Sequence, residues 1–393
     1  MTKNDRRITI PELLIIALLS VGAAYLIQNH QSLSSEFREA PPPALAPETV
    51  RTEEADPAVI DWNSDMIYTE LCRGIEAIEE TITFPYDCTG EIFDVFHEVL
   101  ADHPEYFWLT GSGSYTRKTS ENGITVLFTP KILLPPEEVK ARRAALETRV
   151  DDILVRAEAY GTIYDRLLFL HDLLVDDTEY DTVTAAMMFE DAMNDEISRS
   201  TGAYGCLVDR RAVCSGYAAA FQLLVQRLGI PCARVQGTEM KTGAPHEWNI
   251  VELDGEWYHI DVTWDDPVFS GDPAEGYCSY DYFCVPTDEI ARTHVFEHDA
   301  IPPCTADTYG YYGINGLTLD SYDPAAADGL ISRQVGLDCI RLKFQDEDAL
   351  EPAVEDLIER RRIFEIPAVK ALNVRSLRYS TSEMGTLTVW LLP

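Results

Sequence analysis

The chain has 393 residues, 46% of them hydrophobic and 10% aromatic, which is enough for two or three folded domains and excludes overall disorder. Its 31 Lys and Arg residues stand against 67 Asp and Glu, a formal net charge of -36. Phosphate backbones repel so acidic a chain, so nucleic acid is excluded as an expected partner.

The amino terminus has the pattern of a membrane-targeting segment. Basic residues precede an apolar run over 13–27; they are Lys3, Arg6 and Arg7. This order places the amino terminus in the cytoplasm and the rest of the chain outside. We therefore predict a signal anchor over 1–28 and a single-pass membrane protein with its bulk extracytoplasmic.

A cleaved signal peptide is the alternative, because Gly22 and Ala24 offer a small-residue cleavage site, and the protein would then be secreted. A Pro-rich acidic linker follows over 29–58.

The next predicted region, 59–135, is an α/β lead-in. Apolar residues recur at helical spacing over 61–80 and again over 90–108. Two β-favouring runs, 108–118 and 123–134, then flank a polar turn.

Two helices open the domain that we predict over 136–306. The first is charged and runs over 136–160, with Pro and acidic residues at its start; the second runs over 162–182. The last region, 307–393, is predicted as a small α/β module, because an alternating strand, a helix and a hairpin follow one another there.

Cys214 is the candidate nucleophile. The sequence after it, SGYAAAFQLLVQRLG, has helical spacing and ends at Gly229, followed by Pro231. Cys214 therefore lies in the first turn of a helix, where the free N–H groups favour a thiolate and can face an oxyanion. By itself the pattern is weak, since a lone cysteine near a helix is more often a small buried side chain.

The segment 245–266 supplies a base and its orienting partner. Two β-favouring runs flank Asp254-Gly255, a strong signal for a two-residue hairpin. If Leu253 faces Glu256, His246 and Asp261 become diagonal neighbours on one face of the sheet. A cysteine nucleophile needs an imidazole with a carboxylate behind it, so we predict the set Cys214, His246 and Asp261.

Other cysteines and histidines have simpler explanations. His259 shares the predicted face but lies further from the strand end, and we expect it to be a packing residue, as we do for His171 within a helix. Cys206 is a rival nucleophile without a long helix behind it, and Cys232 has a core pattern.

Metal and cofactor signals are weak. One spacing, C-x5-C-x9-H-x3-H, loosely resembles a zinc finger but is too wide; its residues are Cys278, Cys284, His294 and His298. No glycine-rich phosphate loop or calcium loop is present in the sequence. We therefore predict no metal and no cofactor. Nine cysteines leave one unpaired if the others form disulfides, for instance Cys72 with Cys88.

Taken together, these motifs resemble the transglutaminase-like superfamily, the papain-like group with a Cys-His-Asp triad. The resemblance covers roughly 160 to 285 and rests on FLHDLLVDDTEYD, AVCSGYAAAF, GIPCARVQG, HEWN and DVTWD, in that order. The lead-in and a later DYF segment resemble membrane-anchored members from Gram-positive bacteria. The implied fold is α+β: a papain-like core in which the cysteine helix packs on an antiparallel sheet that carries His and Asp.

The resemblance implies roles for these residues. Cys214 is the nucleophile, His246 the general base and acid, and Asp261 the orienting carboxylate. A second oxyanion donor is expected upstream, and Tyr204 is our candidate. No counterpart of the calcium sites of animal transglutaminases is visible.

Two functions remain open at this stage. The first is an exported thiol enzyme, either a transglutaminase or an amide hydrolase, acting on a protein or peptide at the cell surface or cell wall. The second is a non-catalytic surface module that uses the fold for binding or scaffolding.

Overall fold

The structure is a computed structural model and describes residues 64–121, 123–188, 194–266 and 277–392. The predicted anchor over 1–28 and the linker over 29–58 lie outside this part of the chain. Among the described residues, no helix is both long enough and apolar enough to cross a bilayer.

The described helices come in chain order. They are α1 (Ser64–Glu76), α2 (Ile92–Asp102), α3 (Pro136–Ala157), α4 (Ile163–Asp177), α5 (Thr182–Met187), α6 (Asp195–Thr201), α7 (Cys214–Arg227), α8 (Thr287–Ile290), α9 (Tyr311–Ile314), α10 (Pro324–Gln334), α11 (Glu347–Ala353) and α12 (Pro367–Ala371). The helices predicted in the lead-in and the two that open the next region are therefore confirmed.

The strands form four sheets within the described residues. They are β1 (Ile82–Phe84), β2 (Leu109–Ser120), β3 (Gly123–Ile132), β4 (Glu179–Tyr180), β5 (Arg211–Ala212), β6 (Cys232–Glu239), β7 (Pro245–Leu253), β8 (Glu256–Ile260), β9 (Phe283–Val285), β10 (His294–Val295), β11 (Thr318–Leu319), β12 (Ile340–Phe344), β13 (Ser376–Thr381) and β14 (Thr386–Leu392). The sheet orders are β1-β3-β2, β4-β5, β10-β6-β7-β8-β9 and β11-β12-β14-β13.

The five-stranded sheet is antiparallel throughout and carries α7 against strands β6 and β7. Asn249 of β7 donates a side-chain hydrogen bond to the carbonyl of Ala218 in α7, 3.0 Å away. This is the α+β arrangement that the sequence predicts, with the cysteine helix on the sheet that leads to His246 and Asp261.

One continuous hydrophobic core runs from Ile67 to Cys284 and includes residues of α1, α3 and α7. The domain boundary predicted between 135 and 136 falls inside this core, and the five domain ranges stay predictions. A second core, between Ala327 and Val389, belongs to the carboxyl-terminal module alone.

The carboxyl-terminal module packs against the segment that follows Asp261. Its strand β14 contacts Tyr277 through Thr388 and Trp390. Met384, at the tip of the β13–β14 hairpin, is fully buried in a third cluster that also contains Trp248. The module thus contributes a side chain to the core beneath the candidate site.

The helix predicted in the carboxyl-terminal module is interrupted. Helix α11 ends at Ala353, a π-type turn spans Val354–Glu359, and a short 3-10 turn follows at Arg362–Glu365. Pro352 explains the interruption, because it has no N–H to donate and its ring crowds the preceding turn.

Candidate active site

Cys214 is the first residue of α7, as predicted, and its side chain is half-buried. The preceding residue, Val213, is extended and donates its N–H to the carbonyl of Ser200, 2.9 Å away. The chain therefore enters the helix from a fixed direction, and the thiol stands at the positive end of a 14-residue helix.

A polar network around the buried Asp181 stabilises the backbone that precedes Cys214. The Asp181 carboxylate accepts hydrogen bonds from Ser200 and Thr184, each at 2.6 Å, and pairs with Arg211 at 3.0 Å. Arg211 lies three residues before Cys214, and Ser200 accepts the N–H of Val213. By binding both residues, the Asp181 carboxylate stabilises the backbone that leads into α7. The charge-assisted bonds lower the pKa of Asp181, although burial opposes the shift.

His246 and Asp261 meet through the hairpin register predicted from the sequence. Leu253 pairs with Glu256 across the turn, and Asp254 and Gly255 both have positive φ (53° and 84°), as a type I′ turn requires. His246 is the second residue of β7, and Asp261 directly follows β8. His246 Nε2 lies 2.6 Å from Asp261 Oδ2. The two residues predicted as diagonal neighbours thus form a direct hydrogen bond.

Cys214 lies near His246, because its side chain contributes to the pKa of the imidazole. Because Nε2 faces Asp261, Nδ1 is the ring nitrogen left for the thiol. Burial alone lowers the pKa of His246, but the Asp261 carboxylate and Cys214 outweigh it and raise the pKa to about 10. The imidazole is therefore held as an imidazolium between a thiol and a carboxylate.

Asp261 is fully buried and stays ionised because donors surround it. Its Oδ2 accepts from His246, and its Oδ1 accepts the backbone N–H of Trp264 at 3.2 Å. Burial raises the pKa of Asp261, but His246 and His294 lower it by more, so the pKa lies well below its usual range.

His294 is a third partner of Asp261 that the sequence analysis did not place there. Its Nε2 donates to Asp261 Oδ2 at 3.0 Å, and its Nδ1 lies 2.8 Å from the Thr293 hydroxyl. Burial lowers the pKa of His294, although Asp261 opposes the shift, so this ring is a neutral donor. It comes from β10, at the sheet edge, 33 residues beyond Asp261. A histidine at that distance gave no sequence signal for this role.

Tyr180 lies near the two ends of the triad. It pairs with Ala212, two residues before Cys214, in the short β4–β5 ladder. Burial raises the pKa of Tyr180, and the nearby charges of Cys214 and Asp261 raise it further. The phenol is therefore protonated and able to donate a hydrogen bond.

Tyr204, the oxyanion donor expected from the resemblance, has a different environment. Its ring lies 5.0 Å from that of Phe107, and the Arg142 guanidinium stands 5.5 Å from its centroid. These contacts face α3 and the lead-in. The role of Tyr204 stays a prediction.

All nine cysteines lie in the described part of the chain, and all are free. The disulfide suggested between Cys72 and Cys88 is not formed; Cys72 Sγ instead lies 3.7 Å from His103 Nε2. Burial raises the thiol pKa of seven cysteines: Cys88, Cys206, Cys232, Cys278, Cys284, Cys304 and Cys339. For Cys206, the rival nucleophile, the pKa rises to about 12. Cys72 and Cys214 are the two half-buried thiols, and each faces a histidine.

His259 is a packing histidine, as expected. It accepts a hydrogen bond from the Trp248 indole at 3.1 Å and donates to the Thr287 hydroxyl at 3.2 Å. Burial lowers the pKa of His259 to about 3, so the ring is neutral. His171 is fully buried, as predicted, but both of its ring nitrogens face carboxylates.

The widely spaced Cys and His set does not converge on one point. Cys284 is fully buried in the main core, His294 faces Asp261, and the His298 ring stacks on Phe296 at 4.5 Å. Within the described residues, the clusters with ligand atoms close enough for a metal are His246–Asp261–His294 and His171–Asp172–Cys278.

Known proteins resemble the central part of the chain. Residues 157–262, which include Cys214, His246 and Asp261, match the family model described as the transglutaminase-like superfamily. No curated protein sequence matches the chain.

Solved structures match parts of the chain at low identity and low TM-score. A crystal structure of a TGase is 16% identical, with a TM-score of 0.30, over 49% of this chain and 53% of that one. A candidate cysteine protease from Cytophaga hutchinsonii is 14% identical, with a TM-score of 0.24, over 39% and 63%. A structure of menin, with its binding site for the Mixed Lineage Leukemia protein, is 13% identical, with a TM-score of 0.24, over 60% and 44%. The chain thus spans less than two thirds of each of these proteins, and the likenesses concern the fold alone.

Proposed function

We propose that this chain, in which residues 157–262 form a domain of the transglutaminase-like superfamily, is a cysteine-dependent acyltransferase or amide hydrolase. The observation that carries the proposal is the 2.6 Å hydrogen bond between His246 and the buried Asp261, with Cys214 at the start of α7 near the same imidazole. A thiol, an imidazole and a buried carboxylate in this order are the parts that a cysteine nucleophile needs.

In the first half-reaction, the Cys214 thiolate attacks the carbonyl carbon of a carboxamide or peptide bond, and a C–S bond forms. The tetrahedral intermediate then loses its C–N bond, and the His246 imidazolium donates its proton to the departing ammonia or amine. The raised pKa of His246 keeps this proton available at neutral pH. The product of this half-reaction is a thioester on Cys214.

In the second half-reaction, a water molecule or an amine attacks the thioester. His246 Nδ1 accepts the proton of the attacking group, and the C–S bond breaks. This step regenerates the Cys214 thiolate and the His246 imidazolium with which the reaction began. Asp261 keeps Nε2–H in place throughout, so the ring presents Nδ1 to the thiol and to the acceptor.

The oxyanion of each tetrahedral intermediate has two donors close to Cys214. The first is the N–H of Cys214 itself, at the start of α7, where backbone donors have no partner within the helix. The second is the phenol of Tyr180, which is protonated and whose backbone pairs with Ala212, two residues before Cys214.

We further propose that the enzyme acts outside the cytoplasm, on a surface protein or wall peptide. The basic residues followed by an apolar run at the amino terminus support this location. Protease treatment of intact cells that express the full chain tests it: the catalytic domain is digested if it is outside. Protection of the domain in intact cells, with digestion after lysis, contradicts the location.

The central test measures the rate at which a thiol-directed probe labels Cys214. It is done in a Cys72→Ser background, because Cys72 is the other half-buried thiol that faces a histidine. We expect fast labelling of a single site that Cys214→Ala removes and His246→Ala slows by at least about a hundredfold, since general base catalysis typically contributes that much. Labelling of Cys214 that is no faster than that of the buried cysteines, and insensitive to His246, contradicts the proposal.

A second assay separates transfer from hydrolysis. Glutamine-bearing peptides are incubated with a labelled primary amine, and both ammonia release and amine incorporation are measured. A transglutaminase incorporates the amine, whereas a hydrolase releases ammonia or a free amine without incorporation. If neither occurs with any amide substrate although Cys214 labels rapidly, the alternative of a non-catalytic surface binding module is favoured.

A further inference from the structure

A second cluster of metal-ligand side chains lies outside the triad. His171 and Asp172 are consecutive residues of α4, and Cys278 approaches them from the segment before β9. The His171 Nδ1 and Asp172 Oδ1 atoms are 3.1 Å apart, and Cys278 Sγ lies 3.9 Å from each. One nitrogen, one oxygen and one sulfur thus form a compact triangle.

From these contacts, we propose that His171, Asp172 and Cys278 bind a divalent cation of the zinc class. Tetrahedral zinc with bonds of about 2.0 Å to N and O and 2.3 Å to S places its ligand atoms roughly 3.3 to 3.5 Å apart. The observed separations of 3.1 Å and 3.9 Å require shifts of only a few tenths of an ångström. A mixed N, O and S set suits zinc better than calcium or magnesium, which prefer oxygen.

The histidine of this cluster is oriented as a metal ligand. Its other nitrogen, Nε2, lies 3.2 Å from Oδ2 of Asp265, whose side chain is fully buried. A carboxylate behind a ligating imidazole fixes the tautomer and makes Nδ1 the metal-facing atom. Asp265 itself is held by the backbone N–H of Tyr282 at 3.2 Å. The supporting contacts of the site are therefore already in place.

A route for the cation is also present. The Asp172 side chain is 37% exposed and lines a groove of about 400 Å³ between α3 and α4. Other carboxylates of the groove are Asp165, Asp176 and Asp177. Arg156 also lines the groove, but the four carboxylates outnumber it, and net negative charge concentrates cations there.

The charges of the proposed ligands also fit a divalent cation. A Cys278 thiolate and the Asp172 carboxylate together balance a divalent ion. Two protons are released to solvent when the metal binds: that of the Cys278 thiol and that of His171 Nδ1, which faces Asp172 in the metal-free protein. The ion would join α4 to the segment after 276. Through Asp265, whose N–H donates to the carbonyl of Asp261 at 3.2 Å, it would also stiffen the residues that follow the catalytic carboxylate. The proposal does not depend on catalysis by Cys214.

The test is a cobalt titration of the full chain in a Cys72→Ser/Cys214→Ala background, after chelation and dialysis. This background removes the two half-buried thiols that face histidines elsewhere. We expect one equivalent of Co²⁺ to bind with the absorption of thiolate-to-cobalt charge transfer, and zinc to displace it. Cys278→Ser should abolish the charge-transfer band. Zinc should also raise the thermal unfolding temperature of the background protein.

Asp172→Asn and Asp176→Asn are the matched pair, because both carboxylates line the same groove and neither is fully buried. Asp172→Asn should weaken binding by at least about tenfold, the size of effect seen when a metal site loses one contributing group. Asp176→Asn should change it much less. Equal effects of the two variants, absence of the charge-transfer band, or no stoichiometric binding would each overturn the proposal. Asp172→Asn keeps the test valid if Cys278→Ser fails to fold.

Discussion

His294 Nε2 lies 3.0 Å from Oδ2 of Asp261, the same oxygen that accepts the hydrogen bond of His246. The carboxylate is thus held between two imidazoles, of which one is an imidazolium and the other is neutral. Because His294 donates to Asp261 without facing the thiol, it is a positioning residue: it restrains the group that orients the base.

The first prediction concerns this positioning. His294→Phe removes one charge-assisted hydrogen bond to Asp261, worth about 1.5 kcal/mol or more, so kcat should fall roughly tenfold while KM changes little. His294→Gln keeps a donor near the same place and should recover part of the loss. Steady-state kinetics of both variants check this. Equal losses in the two variants would indicate a packing role instead.

The second prediction concerns pH. The pKa of His246 is raised to about 10, because Asp261 and Cys214 outweigh the effect of burial. Activity should therefore persist into alkaline solution and decline as pH approaches 10, where the imidazolium loses its proton. Asp261→Asn should move this decline towards the ordinary histidine value of about 6.5. The kcat/KM profile measures both, and an unchanged alkaline limb in the variant contradicts the assignment of Asp261.

The free energy of unfolding should also decrease as the pH rises. The pKa of His246 is higher in the folded protein than in the unfolded chain, so protonation of His246 stabilises the fold. This stabilisation is complete below about pH 6.5 and is lost as the pH rises towards 10. The free energy of unfolding of the wild type should therefore fall over this range more than that of Asp261→Asn. Denaturant unfolding at several pH values measures the difference. Asp176→Asn, a groove carboxylate away from the triad, should behave like the wild type.

The third prediction distinguishes the two tyrosines. Tyr180→Phe removes the phenol that we propose as an oxyanion donor and should lower kcat by about a hundredfold, as loss of one such donor does elsewhere. Tyr204→Phe, whose ring faces Phe107 and Arg142, should have little effect on kcat. The two variants are compared under saturating substrate. The reverse order of effects would restore Tyr204 as the donor.

The fourth prediction concerns the start of α7. A Cβ on Gly216 would lie 2.4 Å from the carbonyl oxygen of Ser200 and 2.8 Å from Cβ of Ala212, so the helix would have to move. Gly216→Ala should therefore lower the free energy of unfolding by about 1–3 kcal/mol and slow the labelling of Cys214.

Gly329→Ala, in α10, is the matched control, because a Cβ there meets nothing within 4 Å. It should be neutral or stabilise by about 0.5–1 kcal/mol, since alanine favours helix. Thermal or denaturant unfolding of both variants gives the comparison. Similar effects at the two glycines would mean that close packing at Gly216 does not hold Cys214 in place.

The sequence by itself determined the local parts of the candidate site. Helical spacing ending at Gly229 predicts α7 and puts Cys214 at its start, and the Asp254-Gly255 turn specifies the register of β7 and β8. These features depend on neighbours within a few residues, because turn chemistry and side-chain periodicity are local properties. For that reason the proximity of His246 to Asp261 could be derived before any tertiary contact was known.

Only the tertiary structure decided which distant residues join them. His294 reaches Asp261 because β10 pairs with β6 at the sheet edge, and Tyr180 lies near the start of α7 because β4 pairs with β5. His171 and Cys278 meet across 107 positions of chain for the same kind of reason. Pairing between segments far apart in sequence depends on the packing of the whole core, and no local pattern of residues specifies it.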